Sequence, residues 1–257
     1  MGNHSSSHWH KKKSKNDGTQ GIKKITDYEG NVYEGELKNN EKQGIGKMTY
    51  KDGRLYEGDW QNDKKNGTGK MTYKDGSFYE GKWQNDKVSG IGKMTYIDGR
   101  LYEGEWHNGN RNGNGKYIDV NGNLYEGEWK NGNKNGRGKM IYKDNSFYEG
   151  EWQNDKRYGY GKFTHPNGTL YQGYCKNDVS DGYGCIKYVN GASYEGQFRD
   201  NSYWGQGKLI ESDGSFHAGE WKKNQKHGYG FSVDPSGNIT KGYWQFNQLY
   251  DRRDPVT

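Results

Sequence analysis

The sequence contains the stretch Tyr56-Glu-Gly-Asp-Trp60, followed after a gap of six residues by Gly67-Thr-Gly69-Lys-Met71-Thr-Tyr73. This unit returns every 23 residues, and its first glycine recurs without a slip at positions 35, 58, 81, 104, 127, 150, 173, 196, 219 and 242. A fixed period in this range is the signature of a repeat architecture, so the period decides the fold. About nine full units fill residues 33–239.

Each unit contains two short runs with a period of two, which is typical of strands and not of helices. In residues 55–61, tyrosine, glycine and tryptophan alternate with a leucine and two acidic residues. In residues 68–73, glycine, methionine and tyrosine alternate with threonine and lysine. The polar segment 62–67 between the runs predicts a hairpin loop. The Asp-Gly pair at 75–76 predicts a tighter turn before the next unit. Each repeat is therefore predicted to be a β-hairpin that pairs edge to edge with its neighbours.

The alternation also suggests a register. Pairing across the loop places these residues opposite one another on one face: Trp60 and Gly67, Gly58 and Gly69, Tyr56 and Met71. Continuing through the turn places Gly69 opposite Trp83, so each indole is expected to cover glycines of its neighbouring strands. The other face is expected to be a ladder of opposite charges, with Glu57 opposite Lys70 and Lys93 beside Glu80 and Glu105.

The composition predicts an all-β chain with a single layer. Glycine (42), tyrosine (23) and tryptophan (9) are abundant, while the aliphatic residues that a two-layer core needs are scarce. We expect an elongated, twisted antiparallel sheet that advances about 10 Å per repeat, or roughly 90 Å in all. The predicted parts are an N-terminal arm (1–20), the repeat array (21–244) and a C-terminal cap (245–257). In the cap, Phe246, Leu249 and Tyr250 have helical spacing, which predicts a short helix over the last strand.

Charge and motifs exclude several functions. Residues 1–24 hold six lysines and one acid, so they carry +5 of the net charge of +6, and the body is close to neutral. A nucleic-acid partner is therefore not expected. Gly-x-Gly-Lys recurs without the spacing of a Walker loop, and the carboxylates lie beside lysines as in a charge ladder. No catalytic residue, cofactor or metal site is predicted. His4, His8 and His10 lack the further ligands that a closed site needs.

The N-terminal arm has two features that together suggest a membrane tether. Gly2 with Ser6 fits the N-myristoylation pattern. A basic cluster follows, and it would supply the second signal that one acyl chain needs at an anionic leaflet. The cluster consists of Lys11, Lys12, Lys13 and Lys15. The alternative is a disordered, solubilising tail.

The pattern Tyr-x-Gly-x-Trp, a six-residue gap and Gly-x-Gly at a period of 23 resembles the MORN (membrane occupation and recognition nexus) repeat family over residues 21–244. The resemblance implies a rod of β-hairpins that acts as a scaffold at membranes and cytoskeletal structures, radial spoke heads and cilia among them. It also implies possible binding of acidic phospholipids. We therefore expect a cytoplasmic protein at the inner face of a membrane or at a cytoskeletal or ciliary structure.

Three functions remain open. The first is a non-enzymatic scaffold that binds a protein segment, such as a helix, through an exposed aromatic row, with homodimerisation possible. This row consists of Tyr56, Trp60, Tyr79, Trp83, Tyr102, Trp106, Tyr125, Trp129, Tyr148 and Trp152. The alternatives are an axonemal or cytoskeletal subunit without lipid contact and a phosphoinositide-binding module. The same aromatic row could instead pack on itself and only stabilise the sheet.

The unit at residues 171–193 departs most from the pattern. Cys175 takes the tryptophan position, Gln172 a glutamate position and Cys185 a lysine position. The register puts the two cysteines on opposite faces, so no disulfide is expected between them. The divergence indicates either drift near the end of the array or a bend or partner-specific surface between residues 171 and 216.

Overall fold

The computed structural model describes residues 21–250, and within them every regular element is a strand. Contacts divide the chain into two units. Unit 1 contains the residues up to Gly122 together with Trp129–Gly132, and unit 2 contains Asn123–Glu128 and the residues from Asn133 onward. The predicted tether at Gly2, Lys11, Lys12, Lys13 and Lys15 lies outside the described residues.

Twenty-one strands follow one another along the described chain. Those of unit 1 are β1 (Lys23–Thr26), β2 (Val32–Lys38), β3 (Glu41–Thr49), β4 (Leu55–Gln61), β5 (Lys64–Thr72), β6 (Phe78–Gln84), β7 (Lys87–Thr95), β8 (Leu101–His107) and β9 (Asn110–Ile118). Strand β10 (Leu124–Lys130) has residues in both units. Those of unit 2 are β11 (Asn133–Ile141), β12 (Phe147–Gln153), β13 (Lys156–Thr164), β14 (Leu170–Lys176), β15 (Val179–Lys187), β16 (Ser193–Arg199), β17 (Ser202–Ile210), β18 (Phe216–Lys222), β19 (Gln225–Val233), β20 (Ile239–Gln245) and β21 (Gln248–Tyr250). Within each unit, consecutive strands pair antiparallel, as the hairpin pattern predicts.

The hairpin loops are shorter than predicted. Asn62 and Asp63 form the whole turn between β4 and β5, and both have a positive φ, at 50° and 65°. Two such residues make the turn whose twist matches the flanking strands. The segment from Lys64 to Gly67, predicted as loop, therefore belongs to strand β5.

The predicted register is right at its centre and wrong at its ends. Gly58 lies opposite Gly69, and Tyr56 lies opposite Met71, as predicted. A bulge then places Trp60 opposite Lys65 instead of Gly67, because β5 carries two more residues than β4 between these points. The pairing of β5 with β6 also differs from the prediction, which placed Gly69 opposite Trp83. In the structure Gly67 lies opposite Trp83, and Gly69 lies opposite Gly81. The shift arises because the Tyr73 carbonyl leaves the ladder and accepts the hydrogen bond that closes the turn at Gly76.

The predicted C-terminal helix is wrong within the described residues. Gln248–Tyr250 is a strand that pairs with β20, and it places Leu249 opposite Trp244. Phe246 instead forms a two-residue turn with Asn247, both with positive φ as in the other hairpins, and Leu249 and Tyr250 follow this turn in β21. Between residues 21 and 250 no helix is long and apolar enough to cross a membrane.

Candidate partner-binding surfaces

One face of the sheet, called here the aromatic face, is built around a tyrosine that lies flat over two glycines. A Cβ added to Gly69 would lie 2.6 Å from Cε2 of the Tyr56 ring, and one added to Gly58 would also meet the Tyr56 hydroxyl. Only glycine leaves this space, so the two glycines are the floor beneath a phenol ring. The prediction that the glycines make room for the indole is therefore wrong.

The tyrosine hydroxyl satisfies a backbone group that the bulge removes from the ladder. Tyr56 Oη donates to the carbonyl of Asp59, the β4 residue that lies opposite the bulge, at 3.0 Å. The same bond recurs at 2.7–3.0 Å from Tyr33, Tyr79, Tyr102, Tyr125, Tyr148, Tyr171 and Tyr194, always to the residue three positions later. Burial of these hydroxyls raises their pKa, to about 12 for Tyr33 and Tyr171. Each tyrosine thus closes its own bulge and stays protonated.

The tryptophan joins neighbouring repeats. Trp60 Nε1 donates to the carbonyl of Gly46 in the preceding unit at 3.1 Å. Trp83, Trp106, Trp129, Trp152 and Trp221 make the same bond to the glycine 14 residues earlier, at 3.0–3.2 Å. The Trp60 ring also lies edge-on between Tyr33 and Tyr56, with centroid distances of 5.5 and 5.2 Å. The aromatic row therefore forms the core of the sheet itself.

A row of cations covers the indoles, which the sequence analysis missed. Lys42 lies over the Trp60 ring with Nζ 4.6 Å from the centroid, and Lys65 lies over Trp83 at 5.0 Å. The equivalent residues of later repeats take the same place: Arg111 over Trp129, Lys134 over Trp152 and Lys226 over Trp244. Desolvation lowers the pKa of Lys42, Lys65 and Lys226. The recurrence of a basic residue at this repeat position was the available signal.

The predicted exposure of the aromatic row is wrong. Tyr56, Tyr79, Tyr102, Tyr125 and Tyr148 are at most 1% exposed, and Trp60, Trp83, Trp129 and Trp152 are 4–6% exposed. Trp106 is half-buried, and the residue at its cation position is Val88. The self-packing interpretation accounts for the burial of the row, while its predicted role in partner binding is not tested by burial alone.

A groove opens beside the buried row in unit 1. It has a volume of about 440 Å³, and it spans three successive turns between hairpins. Its lining residues are Asp52, Arg54, Tyr73, Lys74, Asp75, Ser77, Met94 and Tyr96. Tyr73 and Met94 pack against the buried row, so the groove belongs to the aromatic face. The groove is an accessible part of the aromatic face, and the sequence pattern alone did not distinguish it from the buried row.

The opposite face, called here the ladder face, carries the predicted charge pairs. Glu57 lies opposite Lys70 as predicted, and ion pairs join Lys47 to Glu57 at 3.2 Å and Lys70 to Glu80 at 3.0 Å. Lys93 pairs with Glu80 and Glu103, so the predicted contact with Glu105 is wrong. These side chains are about half exposed, so each pair contributes little to stability.

The divergent repeats keep the architecture with other side chains. Cys175 occupies the tryptophan position and is buried, while Cys185 pairs with Gln172 and Glu195 on the ladder face. His217 occupies a tyrosine position at 2% exposure, between the edges of Trp221 and Trp244. Its Nδ1 contacts Ser232 Oγ at 2.9 Å, and its Nε2 is buried without a partner among the described residues. Desolvation lowers the pKa of His217 to about 4.

These features define a class: an array of tandem β-hairpins in which a tyrosine, a tryptophan and the two glycines beneath the tyrosine form one repeating core. The profile of the MORN repeat matches nine segments, at residues 33–53, 56–78, 79–99, 102–124, 125–147, 148–170, 171–193, 194–216 and 217–239. The chain belongs to the MORN repeat family. Nothing in that family assignment indicates a catalytic function.

Among curated proteins, none matches the chain. Among solved structures, the chain is similar to the TCP10 domain of Danio rerio CPAP in complex with a peptide of Danio rerio STIL, at 10% identity and a TM-score of 0.44, covering 88% of this chain and 96% of that one. It is also similar to the wild-type TCP10 domain of Danio rerio CPAP, at 9% identity and a TM-score of 0.42, covering 86% of this chain and 100% of that one.

Proposed function

We propose that the chain is a non-enzymatic scaffold that binds a segment of a partner protein in the groove of the aromatic face. The observation that carries the proposal is the groove itself. Its floor is apolar, formed by Tyr73, Met94 and Tyr96, and Arg54 and Asp52 form part of a charged rim. An apolar floor inside a polar rim is the anatomy of a protein-binding site.

The buried aromatic row supports this groove. Because Tyr73 and Met94 pack against the row, the floor of the groove is held by the same contacts that hold the sheet. The Arg54 guanidinium is fixed by Asp52, at 2.8 Å, and lies over the Tyr50 ring at 4.7 Å. A partner side chain would therefore enter a preformed site, which lowers the entropic cost of binding.

The test uses a substitution that the array already tolerates. The residue equivalent to Tyr96 in a later repeat is Glu211. Tyr96→Glu should therefore preserve the fold while it places a charge in the groove. The control is Tyr142→Glu, the same change at the equivalent position of unit 2, outside the groove. Both variants and the wild type are compared by thermal melting and by quantitative affinity purification, and then with the purified partner.

We expect the partner's recovery to fall at least tenfold with Tyr96→Glu and to stay unchanged with Tyr142→Glu. Equal recovery with all three proteins, or equal loss with both variants, would contradict a role for the groove. Location at a membrane or cytoskeletal structure is a separate proposal that rests on the N-terminal arm and the family resemblance. Fractionation of wild type and Gly2→Ala tests the tether, and sedimentation of residues 21–257 with acidic liposomes tests the phosphoinositide alternative.

A further inference from the structure

The ladder face of unit 2 carries exposed tyrosines that unit 1 lacks at the equivalent positions. Tyr160, Tyr174 and Tyr183 are 46%, 51% and 55% exposed, and they lie on the adjacent strands β13, β14 and β15. Tyr160 and Tyr174 are cross-strand partners whose ring centroids are 5.5 Å apart. We call these three residues the tyrosine patch. The residues of unit 1 at the positions of Tyr160 and Tyr183 are Ile45, Thr68, Ile91 and Asn114.

Hydrogen bonds hold two rings of the patch in place. Gln172 Nε2 donates to Tyr160 Oη at 2.8 Å, and Tyr183 Oη donates to Glu195 Oε1 at 2.8 Å. Tyr160 Oη accepts in its bond, so it keeps its own proton for donation to a ligand. The patch is thus an exposed set of rings in fixed positions, which is the state that favours tight contact with a partner.

The patch lies where the charge ladder is interrupted. Gln172 stands where most other repeats have glutamate, and Cys185 stands where most have lysine. The two residues are cross-strand partners, so one complete ion pair of the ladder is missing beneath the rings. The charged groups that flank this gap, Lys162 and Glu195, already face Glu149 and Lys208 on their other neighbouring strands. A charged partner would lose hydration over the exposed rings, and an uncharged one would lose less. The chemistry of the surface therefore favours an uncharged, apolar segment.

The spacing of the rings selects the conformation of that segment. Tyr160 and Tyr183 are two strands apart, and two strand spacings amount to about 9.6 Å. A polyproline II helix advances about 9.3 Å in its three-residue turn. One turn of an α-helix advances about 5.4 Å, and every second residue of a strand about 6.8 Å. A polyproline II segment that crosses the strands would therefore bring residues i and i+3 onto the two rings.

We propose that the tyrosine patch binds an uncharged, proline-rich segment of a partner protein in the polyproline II conformation. Prolines three residues apart stack on Tyr160 and Tyr183, and Tyr174 lies between them. The Tyr160 hydroxyl donates a hydrogen bond to a carbonyl of the segment, because the carbonyls of a polyproline II helix make no internal hydrogen bonds. Aromatic surfaces recognise such segments because their conformation is already ordered before binding.

The experiment measures binding of an uncharged peptide of four Pro-Pro-Ala triplets, capped at both ends, to the full chain by isothermal titration calorimetry. A peptide of four Gly-Gly-Ala triplets controls for length and charge. The variants are Tyr160→Gln and Tyr183→Gln. The equivalent position of the next repeat is Gln206, so glutamine should preserve the fold. Ile91→Gln is the matched variant in unit 1, and thermal melting checks that every variant is folded.

We expect saturable binding of the proline peptide, a Kd raised about tenfold or more by each tyrosine variant, and no change with Ile91→Gln. The glycine peptide should not bind. Tyr96→Glu, the groove variant, should bind the proline peptide normally, so this proposal and the proposed function fail separately. The proposal is overturned if the proline peptide does not bind, if both peptides bind equally, or if the tyrosine variants bind as well as the wild type. Self-association that disappears in the tyrosine variants would also overturn it, because a second copy of the chain would then occupy the patch.

Discussion

The clearest test of the repeating core compares two Gly→Ala substitutions in neighbouring segments of unit 1. A Cβ at Gly92 would lie 2.6 Å from Cε2 of Tyr79 and still closer to its hydroxyl, whereas a Cβ at Gly99 meets nothing within 4 Å. Gly99 instead has a positive φ of 88°, which L-residues rarely adopt. One glycine is therefore needed for space and the other for backbone conformation.

The expected costs differ severalfold. Gly92→Ala overpacks the site, which costs about 1–3 kcal/mol. It also displaces the Tyr79 hydroxyl from the carbonyl of Lys82, and a buried carbonyl without a partner costs about 1–3 kcal/mol. We therefore expect a loss of about 4 kcal/mol. Gly99→Ala costs about 1–2 kcal/mol of backbone strain, offset by about 0.4–1 kcal/mol from the less flexible unfolded chain, so its net cost is about 1 kcal/mol.

The measurement is urea denaturation followed by tryptophan fluorescence, together with hydrogen exchange of residues 78–95, because a repeat array can unfold in parts. The double variant Tyr79→Phe with Gly92→Ala is the control. In that background, Gly92→Ala should cost about 1–3 kcal/mol less, because the hydroxyl bond is already absent. Equal costs for Gly92→Ala and Gly99→Ala would refute the assignment of the glycine floor.

Two further predictions concern the residues that cover or replace core aromatics. The folded-state pKa of His217 is about 4, below its ordinary value of about 6.5, so the unfolded chain takes up the proton first as the pH falls. The free energy of unfolding should therefore be highest above pH 6.5 and fall by about 3 kcal/mol towards pH 4. This loss is measured relative to His217→Tyr in the same buffers. A pH profile shared with His217→Tyr would exclude this residue as the cause. Val88→Lys should raise the free energy of unfolding by about 0.5–1 kcal/mol, because the new lysine would cover Trp106 as Lys65 covers Trp83. Thermal melting of Val88→Lys and Val88→Gln measures this effect, and equal melting temperatures would contradict it.

The sequence was sufficient for the strands and for the centre of the register. The period of two located the strands, and side-chain alternation alone places Gly58 opposite Gly69 and Tyr56 opposite Met71. The bulge between Gly58 and Trp60 was not predictable by alternation, because a bulge is a break in that rule. The turn at Asn62 and Asp63 was predictable, since two consecutive Asx residues between alternating runs indicate a two-residue hairpin.

The error about the aromatic row has a physical cause. A sheet with one layer was expected to leave its large side chains in solvent, as nothing packs on them from another layer. Tyr56 is nevertheless fully buried, because its ring lies along the sheet over glycine and Lys65 covers it from above. Side-chain direction over glycine and the reach of a lysine from the neighbouring strand are three-dimensional properties that a pattern of residue types does not contain. The tyrosine patch was missed for a simpler reason: its residues occupy positions that hold no aromatic residue in most repeats.

The recurring side-chain hydrogen bonds described above all span less than one period of 23 residues. The tyrosine hydroxyl reaches 3 residues forward, the indole nitrogen reaches 14 residues back, and the turn side chains of Asp63 and Asp86 reach 21 residues back to backbone amides. Inserting or deleting one whole unit would therefore leave every donor with an equivalent acceptor. A gene of this kind can lengthen or shorten by unequal recombination without passing through an unfoldable product, whereas an insertion of any other length would separate partners on both sides of it.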